Sequence, residues 1–244
     1  MGQIWVIMRR ELTAYFSTPL AYVFIVIFLA LLAATTFYVG AFFDRNQADL
    51  RPFFSFHPWL YLFLIPAITM RMWAEERKTG TIEFLMTLPI STYAVVIGKF
   101  LAAWLFAGLA LLLTFPMWIT VEYLGDPDIG VIIASYIGSW LVAGGFLAIG
   151  GCLSALNRNQ VIAYIVTATV CLLTLTSGLP VVLGAFQGWA PPLAVDAIAS
   201  LSVLTHFESI TRGLVDIRDL IFFASLIVLA LVVNAAIVDL RKSA

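Results

Sequence analysis

Long apolar runs alternate with short polar breaks from one end of this chain to the other. A helix needs about 20 mostly apolar residues, each rising 1.5 Å, to cross the hydrocarbon core of a bilayer. Six runs are candidates: residues 20–42, 58–74, 94–121, 131–156, 161–185 and 220–239. The second is short and contains Pro66, and Pro116 lies near the far end of the third. Prolines at such depth predict kinks whose freed backbone groups neighbouring helices can satisfy. The pattern predicts an all-α integral membrane protein, one transmembrane domain over residues 1–244 with six transmembrane helices.

Two segments depart from this pattern. In residues 3–17, Trp5, Met8, Leu12, Tyr15 and Phe16 recur at spacings of three and four, with Arg9, Arg10 and Glu11 among them. That predicts an amphipathic helix lying in the membrane interface. Ser17-Thr18-Pro19 ends it, with Thr18 a candidate cap for the first span. The second segment is residues 190–216. The run Gly188-Trp189-Ala190-Pro191-Pro192 breaks the chain, and residues 193–204 are apolar but too short to cross. We read this segment as one or two short re-entrant helices dipping into the outer leaflet. The alternative is a seventh span, which would carry the C-terminus outside. Arg212, Asp216, Arg218 and Asp219 leave that span too few apolar residues.

Composition supports the bilayer as solvent. The chain is 62% hydrophobic and 11% charged, against roughly 45–50% and about 25% in soluble domains. A net charge of −1 gives no basic field for nucleic acid. Cys152 and Cys171 lie inside apolar runs and read as packing residues rather than a disulfide framework. His57 and His206 are far apart and lack ligand spacing, so no metal site is expected. The first apolar run is too long for a signal-peptide core, and it reads as a span even with Arg9-Arg10 ahead of it. Span interiors with few charges argue against an ion-coupled carrier. Two distant histidines and no serine or aspartate pair at span depth argue against an intramembrane protease.

Lysine and arginine counts set the orientation. With the N-terminus inside, the inner segments hold Arg9, Arg10, Arg71, Arg77, Lys78, Lys99, Arg158, Arg241 and Lys242. The outer segments hold only Arg45, Arg51, Arg212 and Arg218. Nine against four places both termini in the cytosol, as six spans require.

The stretch from Arg71 to Ser91, between the second and third spans, carries the candidate chemistry. Glu75-Glu76-Arg77-Lys78 ends an apolar run, and Thr79-Gly80-Thr81 makes a turn and a possible cap. Ile82, Phe84, Leu85, Met86 and Leu88 then form a short apolar helix that Pro89 ends, and Ser91 or Thr92 can cap the third span. Such a helix, over about 79–89, can dock in a groove of a cytosolic partner, with Glu75, Glu76 and Glu83 pairing with its cations. An ordinary interfacial loop explains the same residues on physics alone.

Glu75-Glu76-Arg77-Lys78-x-Gly80-Thr81-x-Glu83-x-Leu85, followed by Leu88-Pro89-Ile90-Ser91, resembles the signature of ABC-2-type transporter permeases. The resemblance implies the fold of ABC-2 or type V exporters, with a cytosolic coupling helix between the second and third spans. It also implies a permease subunit, a second permease copy or homologue, and a separate ATP-binding-cassette ATPase carrying ATP and Mg. The coupling residues would be Glu75, Glu76, Arg77, Lys78, Gly80, Thr81, Glu83 and Leu85. In this family the second and fifth helices flank the pathway, which makes Thr167, Thr169, Thr174 and Thr176 candidate lining residues. His206-Phe207-Glu208 with Arg212-Gly213 and Asp216 further resembles the gliding-motility branch and its copper-processing relatives. The implied setting is a bacterial inner membrane, and a separate periplasmic component would supply any outer specificity module. The chain is expected to be no enzyme and to hold no cofactor. A phosphate loop needs Gly-x4-Gly-Lys-Ser/Thr. The only Gly-Lys is Gly98-Lys99, with Tyr93 in place of the first glycine and Phe100 after the lysine. A non-transporting envelope scaffold is the rival reading, and the substrate stays open.

The fourth span places Ser139/Ala143, Gly144/Ala148 and Gly151/Ala155 four apart. Small residues at that spacing let helices approach closely. We read them as packing within the chain rather than as a dimer face.

Overall fold

The structure is a computed structural model that describes residues 2–45, 47–80, 90–186, 190–213 and 216–240. Among these, every regular element is helical. Helix α1 is Gly2–Ser17, and α2 is Pro19–Ala34, continued by a π-helical turn, Thr35–Val39. Then come α3 (Arg51–Ser55), α4 (His57–Thr69), α5 (Ala74–Thr79), α6 (Thr92–Leu112) and α7 (Pro116–Leu124). The chain continues with α8 (Ile129–Leu156), α9 (Gln160–Thr176), α10 (Pro180–Phe186), α11 (Pro192–Ser200), α12 (Val203–Thr211) and α13 (Ile217–Leu240).

Among the described residues, five helical runs are long and apolar enough to cross a membrane: Ala21–Val39, Arg51–Lys78, Thr92–Leu124, Ile129–Leu156 and Ile217–Leu240. Two bent pairs, α9 with α10 at 88° and α11 with α12 at 57°, raise the number to seven if each pair crosses. The sequence pattern predicts a single helix over 161–185, whereas α9 stops at Thr176. Pro180 explains this difference, because a proline lacks the N–H and clashes with the preceding turn. Gly178 then lies so close to Ser202 that an added Cβ would sit 2.6 Å from its side chain. Thr18 does not cap α2 as expected. Its hydroxyl donates back to the Tyr15 carbonyl instead. Ser91 does cap α6, accepting from the Ala94 N–H at 3.2 Å.

Helix α8 is the hub, packed against α4, α6, α9, α12 and α13. Its small residues make that possible. Gly138 faces Phe207 and Ile210 of α12, Gly144 faces Trp104 of α6, and Gly150 faces Thr69 of α4. Ser139, Ala143, Gly144, Ala148, Gly151 and Ala155 are all buried inside the chain, so these pairs serve internal packing. Two indoles lock α6 to α8. Trp104 and Trp140 stack with centroids 4.1 Å apart, and each indole N–H donates to the other's backbone carbonyl, at 2.9 and 3.1 Å. The residues four positions on are Gly108 and Gly144, and a Cβ at either would meet the opposing indole nitrogen at 2.9 or 2.8 Å. The glycines open the path to those carbonyls. In lipid, where no water competes, such contacts and close packing hold helices together.

A second polar knot pins α4 to α8. Ser139 Oγ lies 2.9 Å from the Tyr61 hydroxyl and 3.1 Å from His57 Nδ1. His57 is fully buried, ringed by Phe28, Phe53, Phe54 and Tyr61.

Candidate functional site

The site is built at one end of the bundle, where α4 hands over to α5, α6 begins, and α8 and α13 finish. A small apolar cluster underlies it: Ile7 of α1, Met72 and Trp73, Val95 and Val96 of α6, Ala155 of α8, and Val238 of α13. After Thr69 the chain turns through Met70–Trp73 before α5 starts. Ser154 of α8 holds that turn, accepting from the backbone N–H of Trp73 at 3.1 Å and Ala74 at 3.3 Å. Trp73 is wholly buried beneath α5. Across the cluster, the Thr92 hydroxyl at the start of α6 donates to Asp239 near the end of α13.

Helix α5 is the charged run read from the sequence. Its acidic pair Glu75 and Glu76 lies in the first turn and Arg77 and Lys78 in the last, the order that complements the helix dipole. Glu75 and Lys78 are exposed, whereas Glu76 and Arg77 are half-buried. Gly80 ends the helix in the left-handed region, with φ 73° and, among the described residues, no atom within 4 Å of where a Cβ would stand. A glycine is favoured here for its backbone alone. Thr81, Glu83 and Leu85, with most of the predicted helix over 79–89, lie outside the described residues.

Lys99 organises the charges. It is 3% exposed, on the second turn of α6. Its ammonium donates to Glu76 of α5 at 2.7 Å, pairs with Glu11 of α1 at 3.3 Å, and sits 5.4 Å above the Trp73 ring. Arg10 flanks Glu11 at 2.6 Å. Burial alone would raise the Glu11 pKa, but Lys99 and Arg10 outweigh it and hold the carboxyl below its usual 4.5. The Tyr15 hydroxyl is pushed up by burial and by the nearby Glu11 and Glu76. Gly98 lets α1 reach this position: a Cβ there would lie 2.8 Å from the Ile7 side chain. Eight residues further along each helix, Tyr15 stacks on Phe106 at 5.4 Å. Thus α1 runs beside α6 for about 12 Å.

In the sequence, Lys99 counts among the inner basic residues and Gly98-Lys99 reads as a failed phosphate loop. The available signal was different: a lysine well inside an apolar run needs a partner. Its partners are 23 and 88 positions away, so no local pattern names them.

The four candidate threonines of α9 do not share a face. Thr167 is buried and Thr169 is exposed, while Thr174 and Thr176 are half-buried. Positions seven apart align on a helix and positions two apart differ by roughly 200°. Thr167 with Thr174 and Thr169 with Thr176 are therefore opposed pairs. Thr169, Thr174 and Thr176 each donate to a carbonyl of their own helix.

At the opposite end of the bundle, the His206 motif staples α12 to α13. His206 Nδ1 lies 2.6 Å from Asp219, Nε2 lies 3.2 Å from the Ser200 carbonyl, and the ring stacks on Phe222 at 4.0 Å. Phe207 is buried against α8. Glu208 and Arg212 form an exposed pair, Gly213 takes a left-handed turn, and Asp216 bonds the Arg218 N–H.

Fold and site together define a multi-pass helical membrane protein with a charged platform at one end of its bundle. The family described as ABC-2 family transporter protein matches residues 5–238, and the chain belongs to that family. Its permeases are transmembrane subunits that lack a nucleotide-binding domain and work with ABC ATPase partners, generally as dimers. No curated protein matches the chain.

Proposed function

We propose that this chain is the permease subunit of an ATP-binding-cassette exporter, driven by a separate ATPase that binds the ATP and Mg. The observation that carries this reading is the way α5 is anchored. Glu76 reaches α1 and α6 through Lys99, and the turn before α5 is bonded to α8. Force applied to α5 and the following segment 79–89 enters several spans at once. Glu75, Arg77, Lys78, Gly80, Thr81, Glu83 and Leu85 present that segment to the ATPase, whose basic residues meet the glutamates. ATP binding draws two ATPases together, and two permease chains switch access between them. The outward pair Thr169 and Thr176 borders the pathway between the copies, a narrower set than the four threonines together.

The nine-to-four bias of basic residues supports an inner-membrane setting with both termini cytosolic. The sequence motif His206-Phe207-Glu208 with Arg212-Gly213 and Asp216 supports the gliding-motility and copper-processing branch, with a separate periplasmic component meeting α11 and α12. The test is ATP hydrolysis by the cognate ATPase in nanodiscs, with and without this chain. Wild-type chain is expected to change the rate, and Gly80→Pro and Glu83→Arg to abolish that change. If both variants modulate the ATPase as wild type does, the coupling assignment is wrong. A chain that never alters hydrolysis would be a scaffold.

A further inference from the structure

Helix α11 has no buried residue, and it meets α12 at 57° through Leu201 and Ser202. The pivot is fixed. Ser202 is buried, accepts from the Thr205 N–H at 3.3 Å and packs against Gly178. So α11 is a lever on a firm pivot, and its last residue, Ser200, offers a backbone carbonyl to His206 of α12.

The ring of His206 counts protons. Its Nδ1 lies 2.6 Å from Asp219 Oδ1, and its Nε2 lies 3.2 Å from the Ser200 carbonyl oxygen. A carboxylate and a carbonyl only accept. Neutral imidazole has one N–H, so it serves one of them and turns a lone pair on the other. The imidazolium serves both. Imidazole is ordinarily a stronger base than a carboxylate, which puts the shared proton on the ring. Asp219 is 5% exposed, and its Oδ2 has no hydrogen-bond partner among the described residues, so the carboxylate depends on that cation. A positive charge also suits the carbonyl end of α11.

The surroundings leave this to the ring. Helix α12 packs on α3, α8, α9 and α13. Helices α8 and α9 carry no charged side chain. Their titratable groups are Tyr136, bonded to Thr114, the buried Cys152 and Cys171, and the half-buried Tyr164. Arg51 of α3 is exposed and paired with Asp49, and Glu208 of α12 is exposed and paired with Arg212. Asp196 of α11, Arg218 of α13 and Asp216 are exposed.

We propose that His206 is a proton-operated latch on α11. As imidazolium it ties the end of α11 to Asp219 of α13. On losing a proton it keeps its Nδ1–H on the carboxylate and releases the Ser200 carbonyl, and α11 is freed to swing about Ser202. Histidine is the side chain that ordinarily changes charge between pH 5 and 8. The inference rests on the geometry at this end and not on coupling to an ATPase. The proposed orientation adds that the pH sensed is the outer one.

The test is hydrogen exchange of the full chain in nanodiscs at pH 5.5 and pH 8.5, read by mass spectrometry and corrected for the intrinsic dependence on pH. Exchange over residues 192–202 is expected to be about fivefold faster at pH 8.5, as the loss of one hydrogen bond predicts, while α8 stays unchanged. His206→Gln is expected to remove the difference between the two pH values. Asp219→Asn takes away the charge that favours the imidazolium and is expected to move the step to lower pH. Monodisperse elution is the folding control, and either variant serves if the other misfolds. Equal corrected exchange of wild type at the two pH values overturns the proposal without any variant. A step that survives His206→Gln, or that stays at the wild-type pH in Asp219→Asn, overturns it as well.

Discussion

Two carboxylates share the Lys99 ammonium, and the site has little water to take over if it is lost. Lys99→Met leaves Glu11 and Glu76 without their shared countercharge, and removing one partner of a buried pair costs about 3–5 kcal/mol. The thermal midpoint of the detergent-purified chain is expected to fall accordingly, with Glu11→Gln much milder. The pH dependence follows from the depressed Glu11 carboxyl. Its stabilisation is complete above the ordinary value of 4.5 and is lost as pH falls through the lower folded value. Thermal melts from pH 7 to pH 3 check this: the difference between wild type and Glu11→Gln should shrink only at the acid end. Gly150 is the steric counterpart. A Cβ there would stand 2.3 Å from the buried Thr69 hydroxyl oxygen, so Gly150→Ala is expected to cost about 1–3 kcal/mol in the same melts.

At the scale of elements, the apolar runs that predict membrane helices do correspond to helices, because length and hydropathy are local properties. The breaks inside them are legible in part, at the two prolines expected to kink their helices. Pro66 sits within α4 and Pro116 opens α7. Pro180 ends the fifth run's straight course, and the apolar residues on both sides of it hide the break. The indole lock of α6 and α8 was also invisible, because Trp104-x3-Gly108 and Trp140-x3-Gly144 acquire meaning only when the helices face each other. Gly108→Leu is expected to part these helices and lower the thermal midpoint. Gly80 offers a cleaner test of a single element. Among the described residues nothing crowds it, and its left-handed backbone is what a substitution there tests. Gly80→Asn should be tolerated, whereas Gly80→Val should cost about 1–2 kcal/mol of local helix-end stability. Hydrogen exchange across α5 distinguishes the two.

The molecule as a whole is a bundle around α8, with its two ends fastened differently. One end is closed by ion pairs and capping bonds among α1, α5, α6, α8 and α13. The other is stapled by His206 and Asp219. The signature from Glu75 to Leu85 was legible as a sequence motif. Its attachment was not, because Glu11, Lys99 and Ser154 come from three other helices. The proposed coupling rests on that attachment. The most direct measurement is purification of the tagged chain from its own host's membranes, with quantification of any co-purifying ABC ATPase by mass spectrometry. The account predicts one ATPase per permease chain with wild type, and loss of that ATPase with Glu83→Arg while the chain stays folded. An ATPase retained at full ratio by Glu83→Arg, or no ABC ATPase with the wild-type chain, would contradict it.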